Sequence, residues 1–455
     1  MFDELKEKET LSVAFFSHSS DFGGAERCLF DLVKPLHDDG VRCIIILPRK
    51  GGVFKDLLLG SGIEVFEASR TGWWVFGRYQ WKSIRRFLSS YRVIEKEVLP
   101  FLRRLDPDII YSQTIVSPWG AYCSERLNKP HALSVCEFGK SDHHMNFILG
   151  HEDSVRLLYE RSQVVFWISK TVRDEFRKFL SCAHCSKIEE ITYGKIEIKA
   201  EGDCFSKREY LEGDMFKVGI FGRICESKGQ KDLVKACLEI KNHNVNLRIF
   251  LVGTANEEYL KEIKDFIKKE GIGDLVEILG NQGNPYRLMS QMNVVVSCSR
   301  NEAMGRTLPE ASLLKVPIVF PDRGGPAEIF KNKIHGLTYS PGDYLQLARN
   351  IVEIYNNYGE ALSRASQTRE YVLKVFSKEN YSDRVKNSFM QLKNKQCSCD
   401  GREVADFILN NKRAKFSMLF LSKVYQWRHA IEKFFLGGED DIERLEDDYN
   451  RKAVN

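Results

Sequence analysis

Glu302 and Glu310 stand with seven residues between them in SCSRNEAMGRTLPEASLLKVPIVFPDRGGPAEIF, residues 297–330. Val294-Val295-Val296 precedes them, with the length and β-branching of a buried strand. After a polar loop containing Gly305, an apolar-periodic run begins near Thr307. Thr307 is predicted to be its N-cap, and Pro309 is tolerated in a first helical turn. Glu310 is therefore expected at the start of a helix and Glu302 in the loop leading to it. The free N–H groups and positive dipole end of such a helix favour an anion, while the two carboxylates can accept hydrogen bonds from sugar hydroxyls. That combination outlines a nucleotide-sugar site. The plainer alternative has Glu310 complementing the helix dipole and Glu302 solvated.

A second candidate is KVGIFGRICESKGQKDLVKACLEI, residues 217–240. Here Gly222-Arg223 closes a predicted strand and Lys228-Gly229 opens a helix. Two cations and a Gly-rich turn at a helix N-terminus make a diphosphate cradle: Arg chelates oxygens bidentately and Lys adds a point charge. The alternative is a helix start with surface cations. A third is the polar turn Ser17–Gly24 between a strand at Leu11–Phe16 and a helix at Ala25–Leu36. Its Gly23-Gly24 pair would let backbone N–H groups approach a ligand closely. Asp106-Pro107-Asp108 reads literally as an Asp-x-Asp metal motif, but Pro at its centre and a strand directly after it favour a turn.

These loops need strands and helices to position them, and the chain supplies both in alternation. Strands are expected at Val41–Leu47, Ile63–Phe66, Ile109–Tyr111, Ala132–Val135 and Val164–Ser169, the last closing the first domain. Others follow at Arg248–Gly253, Val276–Gly280 and Val316–Phe320, with helices between and a helical stretch from Tyr344 to Phe376. Such β–α alternation implies parallel sheets covered on both faces. Thr192–Asp214 is polar and aperiodic, the signature of a linker. TGWWVFGRYQWKSIRRFL, residues 71–88, breaks the alternation by interleaving aromatic and basic residues. It suits either a helix with an apolar inner face or an interfacial surface; nucleic acid is disfavoured because no recognition motif accompanies it.

Glu302 and Glu310, followed by Val316-Pro317-Ile318-Val319 and Gly324-Gly325-Pro326-Ala327-Glu328, resemble the signature of group 1 (family 4) glycosyltransferases. The Gly222-Arg223…Lys228-Gly229 stretch and FSHSSDFGGAER also resemble that family's loops. The resemblance implies an α/β fold of two Rossmann-like domains facing across a cleft, the GT-B arrangement, and retention of the donor's anomeric configuration. It implies that Glu310 binds ribose hydroxyls and that Glu302, with the backbone at Ala303, Met304 and Gly305, holds the donor sugar. Arg223 and Lys228 would neutralise the departing diphosphate, and Gly23 and Gly24 would close on the phosphates and acceptor. Many relatives carry His or Arg, then Glu, at about Cys136 and Glu137; Glu137 is kept and the preceding residue is not. No cofactor or catalytic metal is implied beyond the nucleotide-diphospho-sugar donor, and the expected acceptor is a saccharide or lipid-linked saccharide. Polysaccharide or glycolipid assembly is the implied setting, as in bacterial surface-polysaccharide enzymes.

The expected organisation is a first domain at 1–195, a linker at 196–214, a nucleotide-sugar-binding domain at 215–376, a helix returning to the first domain at 377–395, and an extra helical tail at 396–455. In that tail, Phe416, Phe420, Val424, Trp427, Ile431 and Phe434 recur at helical steps opposite Lys423, Arg428 and Lys433. They suit either packing on the protein or an anionic membrane surface. With 455 residues, 43% hydrophobic, 29% charged and a net charge of +5, the chain is of ordinary soluble composition, and a cytoplasmic location, or one peripheral to the inner face of the membrane, is expected. Its twelve Cys are scattered like reduced thiols, and neither Cys182/Cys185 nor Cys397/Cys399 has the second pair a zinc site needs. Two rivals share much of this pattern: a GT-B nucleotide-sugar epimerase, and a non-catalytic nucleotide-sugar-binding subunit of a polysaccharide assembly. A dehydrogenase is disfavoured, because neither strand–loop–helix carries Gly-x-Gly-x-x-Gly.

Overall fold

The computed structural model describes residues 10–76, 80–140, 145–180, 187–198, 214–243 and 245–393. Outside them lie Cys182, Cys185, Cys397 and Cys399, the stretch 141–144, most of the expected linker, and the tail from 396 onward. The strands are β1 (Ser12–Phe16), β2 (Arg42–Leu47), β3 (Glu64–Glu67), β4 (Val75–Phe76), β5 (Ile109–Gln113), β6 (His131–Val135), β7 (Asn146–Phe147), β8 (Val164–Trp167), β9 (Ile188–Ile191), β10 (Phe216–Phe221), β11 (Leu247–Val252), β12 (Val276–Leu279), β13 (Val294–Val296), β14 (Ile318–Pro321) and β15 (Leu337–Tyr339). The helices that bear on the site are α1 (Gly24–Asp38), α2 (Lys170–Arg177), α3 (Gln230–Lys241), α4 (Pro285–Ser290), α5 (Thr307–Leu313), α6 (Gly324–Ile329) and α7 (Arg384–Lys393).

The long strands form two sheets, β3-β2-β1-β5-β6-β8-β9 and β12-β11-β10-β13-β14-β15, parallel throughout. Continuous apolar runs such as Cys43–Leu47 and Val294–Val296 are buried on both faces, as parallel sheets require. Each sheet winds outward from its first strand and then reverses, leaving a crevice at the C-terminal ends of β1 and β5 and another at those of β10 and β13. In open α/β sheets such reversals are where ligands bind. α7 does not stay with the second sheet. Phe389 packs on Phe15 and Tyr111, and Tyr381, Val385 and Leu392 join the same first-domain core.

Three expectations about these elements change, and a fourth, the turn at Asp106-Pro107-Asp108, holds. The first sheet does not end at β8: β9 adds an edge strand whose sequence, Ile-Glu-Glu-Ile, hid it. Glu189 is tolerated there because it accepts bonds from Tyr159 Oη (2.6 Å) and Trp167 Nε1 (3.1 Å). The helical stretch from Tyr344 is two helices, 344–356 and 358–375, with Asn357 between them. In the aromatic–basic stretch, β4 pairs antiparallel with β7. Trp74 is fully buried, donating to the Ile115 carbonyl at 2.7 Å, and Phe87 stacks on Trp119. Two of its aromatic groups therefore serve the core and not an outer surface; Arg78, Tyr79, Trp81 and Lys82 have no described side chains. Last, Asp106-Pro107-Asp108 is a turn: Asp106 is left-handed (φ 49°) and caps the preceding helix, while Asp108 accepts from the Ser12 N–H at 2.8 Å. It lies at the N-terminal edge of the sheet, away from the crevice, and its carboxylates diverge to Lys129 and Lys393.

Candidate active site

In the second domain the loops after β10 and β13 meet across the crevice. Lys228 Nζ lies 2.5 Å from Glu302 Oε2, which also accepts from Ser299 Oγ at 2.8 Å. The approach depends on glycine. Gly229 is left-handed (φ 66°), and a Cβ there would fall 2.2 Å from the Cys298 carbonyl oxygen. Gly325 N–H donates to the Glu302 carbonyl at 2.8 Å, and a Cβ on Gly325 would sit 2.3 Å from Ala303 O. Ala303 and Met304 are buried at this crossing. A cavity of about 60 Å³ opens between Gly222, Lys228, Ser297, Ser299, Glu302, Gly305 and Thr307. Arg223 is exposed on the rim of the same loop; its carbonyl accepts from Gln230 Nε2 at 2.9 Å.

Thr307 is not the N-cap of α5. It is the first helical residue, and its hydroxyl donates to the Phe221 carbonyl (3.3 Å), tying α5 to the end of β10. Glu310 follows in the first turn, buried, and faces the other domain. Arg306 Nε lies 3.5 Å from its Oε1, and Tyr286 of α4 donates to the same oxygen at 3.4 Å. Burial raises the Glu310 pKa, while Arg306 and Arg27 oppose that shift. The contacts continue across the domains: Arg306 Nη1 pairs with Asp31 (3.0 Å) and Arg27 donates to Tyr286 Oη (2.9 Å), both from α1. Glu302 and Glu310 thus belong to different clusters, one over the cavity and one at the domain interface.

On the first-domain side, Gly23 and Gly24 begin α1. Gly23 N–H donates to Glu26 Oε2 at 3.1 Å, and the other Glu26 oxygen lies 2.9 Å from His18 Nδ1. The His18 backbone carbonyl accepts from Trp73 Nε1 (2.6 Å), and the two rings lie 5.5 Å apart. Burial opposes charge on His18, but the Glu26 bond and the nearby Glu26 and Glu137 carboxylates outweigh it and raise the imidazole above 6.5. Glu137, buried beyond β6, accepts from the Ile115 N–H at 2.9 Å. Cys136 beside it is held protonated by burial. Sequence reasoning sought a histidine at position 136 and missed the one at 18. The available signal was Glu26, three residues after Gly23, a capping spacing that fixes a carboxylate beneath the loop.

Two family models divide the chain between them. The model described as Glycosyltransferase Family 4 matches residues 22–192, and that of glycosyl transferases group 1 matches residues 205–372. The chain is a group 1 glycosyltransferase. This glycosyltransferase is 22% identical over 402 residues to the 2-deoxystreptamine N-acetyl-D-glucosaminyltransferase of Niallia circulans, covering 78% of this chain and 94% of that one. It is 25% identical over 338 residues to the lipopolysaccharide core biosynthesis glycosyltransferase LpsD of Rhizobium meliloti, 73% and 85% of the two chains. Its GT-B fold is shared with Anabaena Alr3699/HepE, solved with UDP-glucose, at a TM-score of 0.69, 22% identity, and 84% and 100% coverage. No helix among the described residues is long and apolar enough to cross a membrane.

Proposed function

We propose that this glycosyltransferase moves a sugar from a nucleotide-diphospho-sugar to a hydroxyl of a saccharide or lipid-linked acceptor, with retention and without a catalytic metal, in polysaccharide or glycolipid assembly. The observation that carries the reading is the Lys228–Glu302 pair across the second sheet's crevice. A cation and an acceptor-only carboxylate side by side suit a diphosphate joined to a sugar: Lys228 stabilises the charge of the leaving group while Glu302 accepts from a sugar hydroxyl. Arg223, exposed on the same loop, adds a second cation as the phosphates settle. Glu310 takes the ribose by exchanging its contacts to Tyr286 and Arg306, and Gly23-Gly24 brings the first domain's backbone to the phosphates. The incoming hydroxyl attacks from the face the diphosphate leaves, so no residue serves as covalent nucleophile. UDP-sugars are the donors to test first, since Alr3699/HepE was solved with UDP and UDP-glucose.

The test is a panel of radiolabelled nucleotide-sugars scored for transfer and hydrolysis, with UDP-induced thermal shift and NMR assignment of the product anomer. Lys228→Ala should slow transfer by roughly ten- to a thousandfold with an unchanged circular dichroism spectrum; full activity would remove the cradle assignment. EDTA should leave the rate unaltered, and a loss restored by Mn²⁺ would reverse the metal-independent reading. Donor consumption without acceptor would point to the epimerase rival. Peripheral membrane association is tested by flotation with anionic liposomes, comparing the full chain with one ending at Lys395. Salt should weaken binding if the basic residues contribute.

A further inference from the structure

The family signature ends in Glu328, for which neither the sequence nor the proposed reaction supplies a task. Its carboxylate reaches into the first domain. Oε1 accepts from the Lys170 N–H (2.8 Å) and Tyr193 Oη (2.7 Å); Oε2 accepts from the Thr171 N–H (2.8 Å) and Thr171 Oγ1 (3.0 Å). Lys170 and Thr171 are the first two residues of α2, and the next N–H, of Val172, is met by Ser169 Oγ at 3.2 Å. The leading N–H groups of a helix have no partner within it. Two of them in the first domain are therefore satisfied by an anion on the second, where the helix dipole also favours negative charge.

At the other end of the same short helix is the donor loop. α6 is six residues long. Its Gly325 N–H holds the Glu302 carbonyl, and the Gly325 Cα is packed so closely on Ala303 and Met304 that a Cβ would overlap their backbone. One helical turn thus separates the interdomain carboxylate from the loop that aims Glu302. A turn of helix with packed ends moves as a rigid piece, so a displacement of Glu328 is delivered to that loop.

We infer that Glu328 is a positioning residue: its grip on the start of α2 sets α6, and α6 sets the backbone that presents Glu302 to the donor sugar. Sugar transfer is thereby made dependent on closure of the first domain onto the second. The inference rests on the donor role proposed for Glu302, so its test includes a readout that needs no substrate. Amide exchange is measured on the full chain, wild type and Glu328→Ala, together with transfer kinetics and UDP-induced thermal shift. In the variant, exchange at Lys170 and Thr171 should accelerate, and exchange at Gly325 and across residues 302–306 should accelerate with it. The kcat should fall about 10- to 100-fold, the scale of a small misplacement of a reacting group. The donor KM and the UDP shift should stay within about twofold of wild type, since a positioning loss falls on the transition state and not on ground-state binding. Glu328→Gln, which keeps one accepting oxygen, should recover part of the rate. Thr171→Val, which removes one bond from the opposite domain, should give a smaller loss of the same kind and covers the case in which Glu328→Ala does not fold. Faster exchange confined to α2 with residues 302–306 unchanged, or an undiminished kcat, would overturn the inference. A wild-type chain that neither binds UDP nor transfers sugar would instead overturn the proposed function, and the exchange arm would still decide the coupling.

Discussion

Two histidines of the first domain should give stability opposite responses to pH. His131 is fully buried between Ser112 and Ser162, and burial lowers its pKa to about 3. Below 6.5 the unfolded chain binds a proton that the folded chain refuses, so stability should drop by about 1.4 kcal/mol per pH unit between 6.5 and 3 from this residue. His18 runs the other way. Its pKa is raised on folding, so its contribution is whole below 6.5 and is lost as pH climbs through the higher folded value. Thermal melts of His131→Gln should show a shallower acid limb than wild type, and melts of His18→Asn a shallower alkaline one. Unchanged limbs would mean that other groups set the pH response.

At the scale of elements, the loop that carries Glu302 is set by close backbone crossings. Gly325→Ala should destabilise the second domain by about 1–3 kcal/mol, the usual range for overpacking, and lower transfer as Glu302 is displaced. A urea midpoint and rate equal to wild type would show that the crossing can relax. These crossings explain what could be read in advance. Gly229, Gly305 and Gly325 lie in runs whose strand–loop–helix pattern is local, so the loops and their cations were legible in the sequence. The partners were not, because they come from distant parts of the chain. Nothing near Glu310 announces Tyr286 as its neighbour, nothing near Arg306 announces Asp31, and nothing near Glu328 announces α2. β9 went unread because an edge strand can carry two glutamates, and Thr307 was misassigned because its hydroxyl serves β10 and not its own helix. Period and turn chemistry reveal elements; contacts between domains depend on how the elements are assembled.

At the scale of the molecule, charged and polar contacts join the domains, with the Tyr193 and Phe376 rings 6.1 Å apart beside them. Arg306 and Asp31 are partly buried (side chains 15% and 22% exposed) and ion-paired across the interface, so Arg306→Ala leaves that carboxylate without its nearest cation. Breaking a partly buried pair from one side costs less than the roughly 3–5 kcal/mol of a fully buried one, and limited proteolysis between the domains should still accelerate. Asp108→Asn, by contrast, should lower stability by about 1 kcal/mol through the Ser12 N–H bond, with no change in the response to EDTA.

α7 carries a consequence for how the protein is made. Phe389 and its neighbours complete a core begun by Val13 and Phe15, so the first domain is discontinuous in the chain. On the ribosome, β1 to β9 emerge long before the residues that cover them. During synthesis of the whole second domain, the nascent first domain presents an open apolar face against Phe15, Tyr111 and Phe166. Domains made early usually fold early; here the early one cannot be sealed until the late one has passed, leaving a window for chaperone capture that ends only when α7 leaves the exit tunnel.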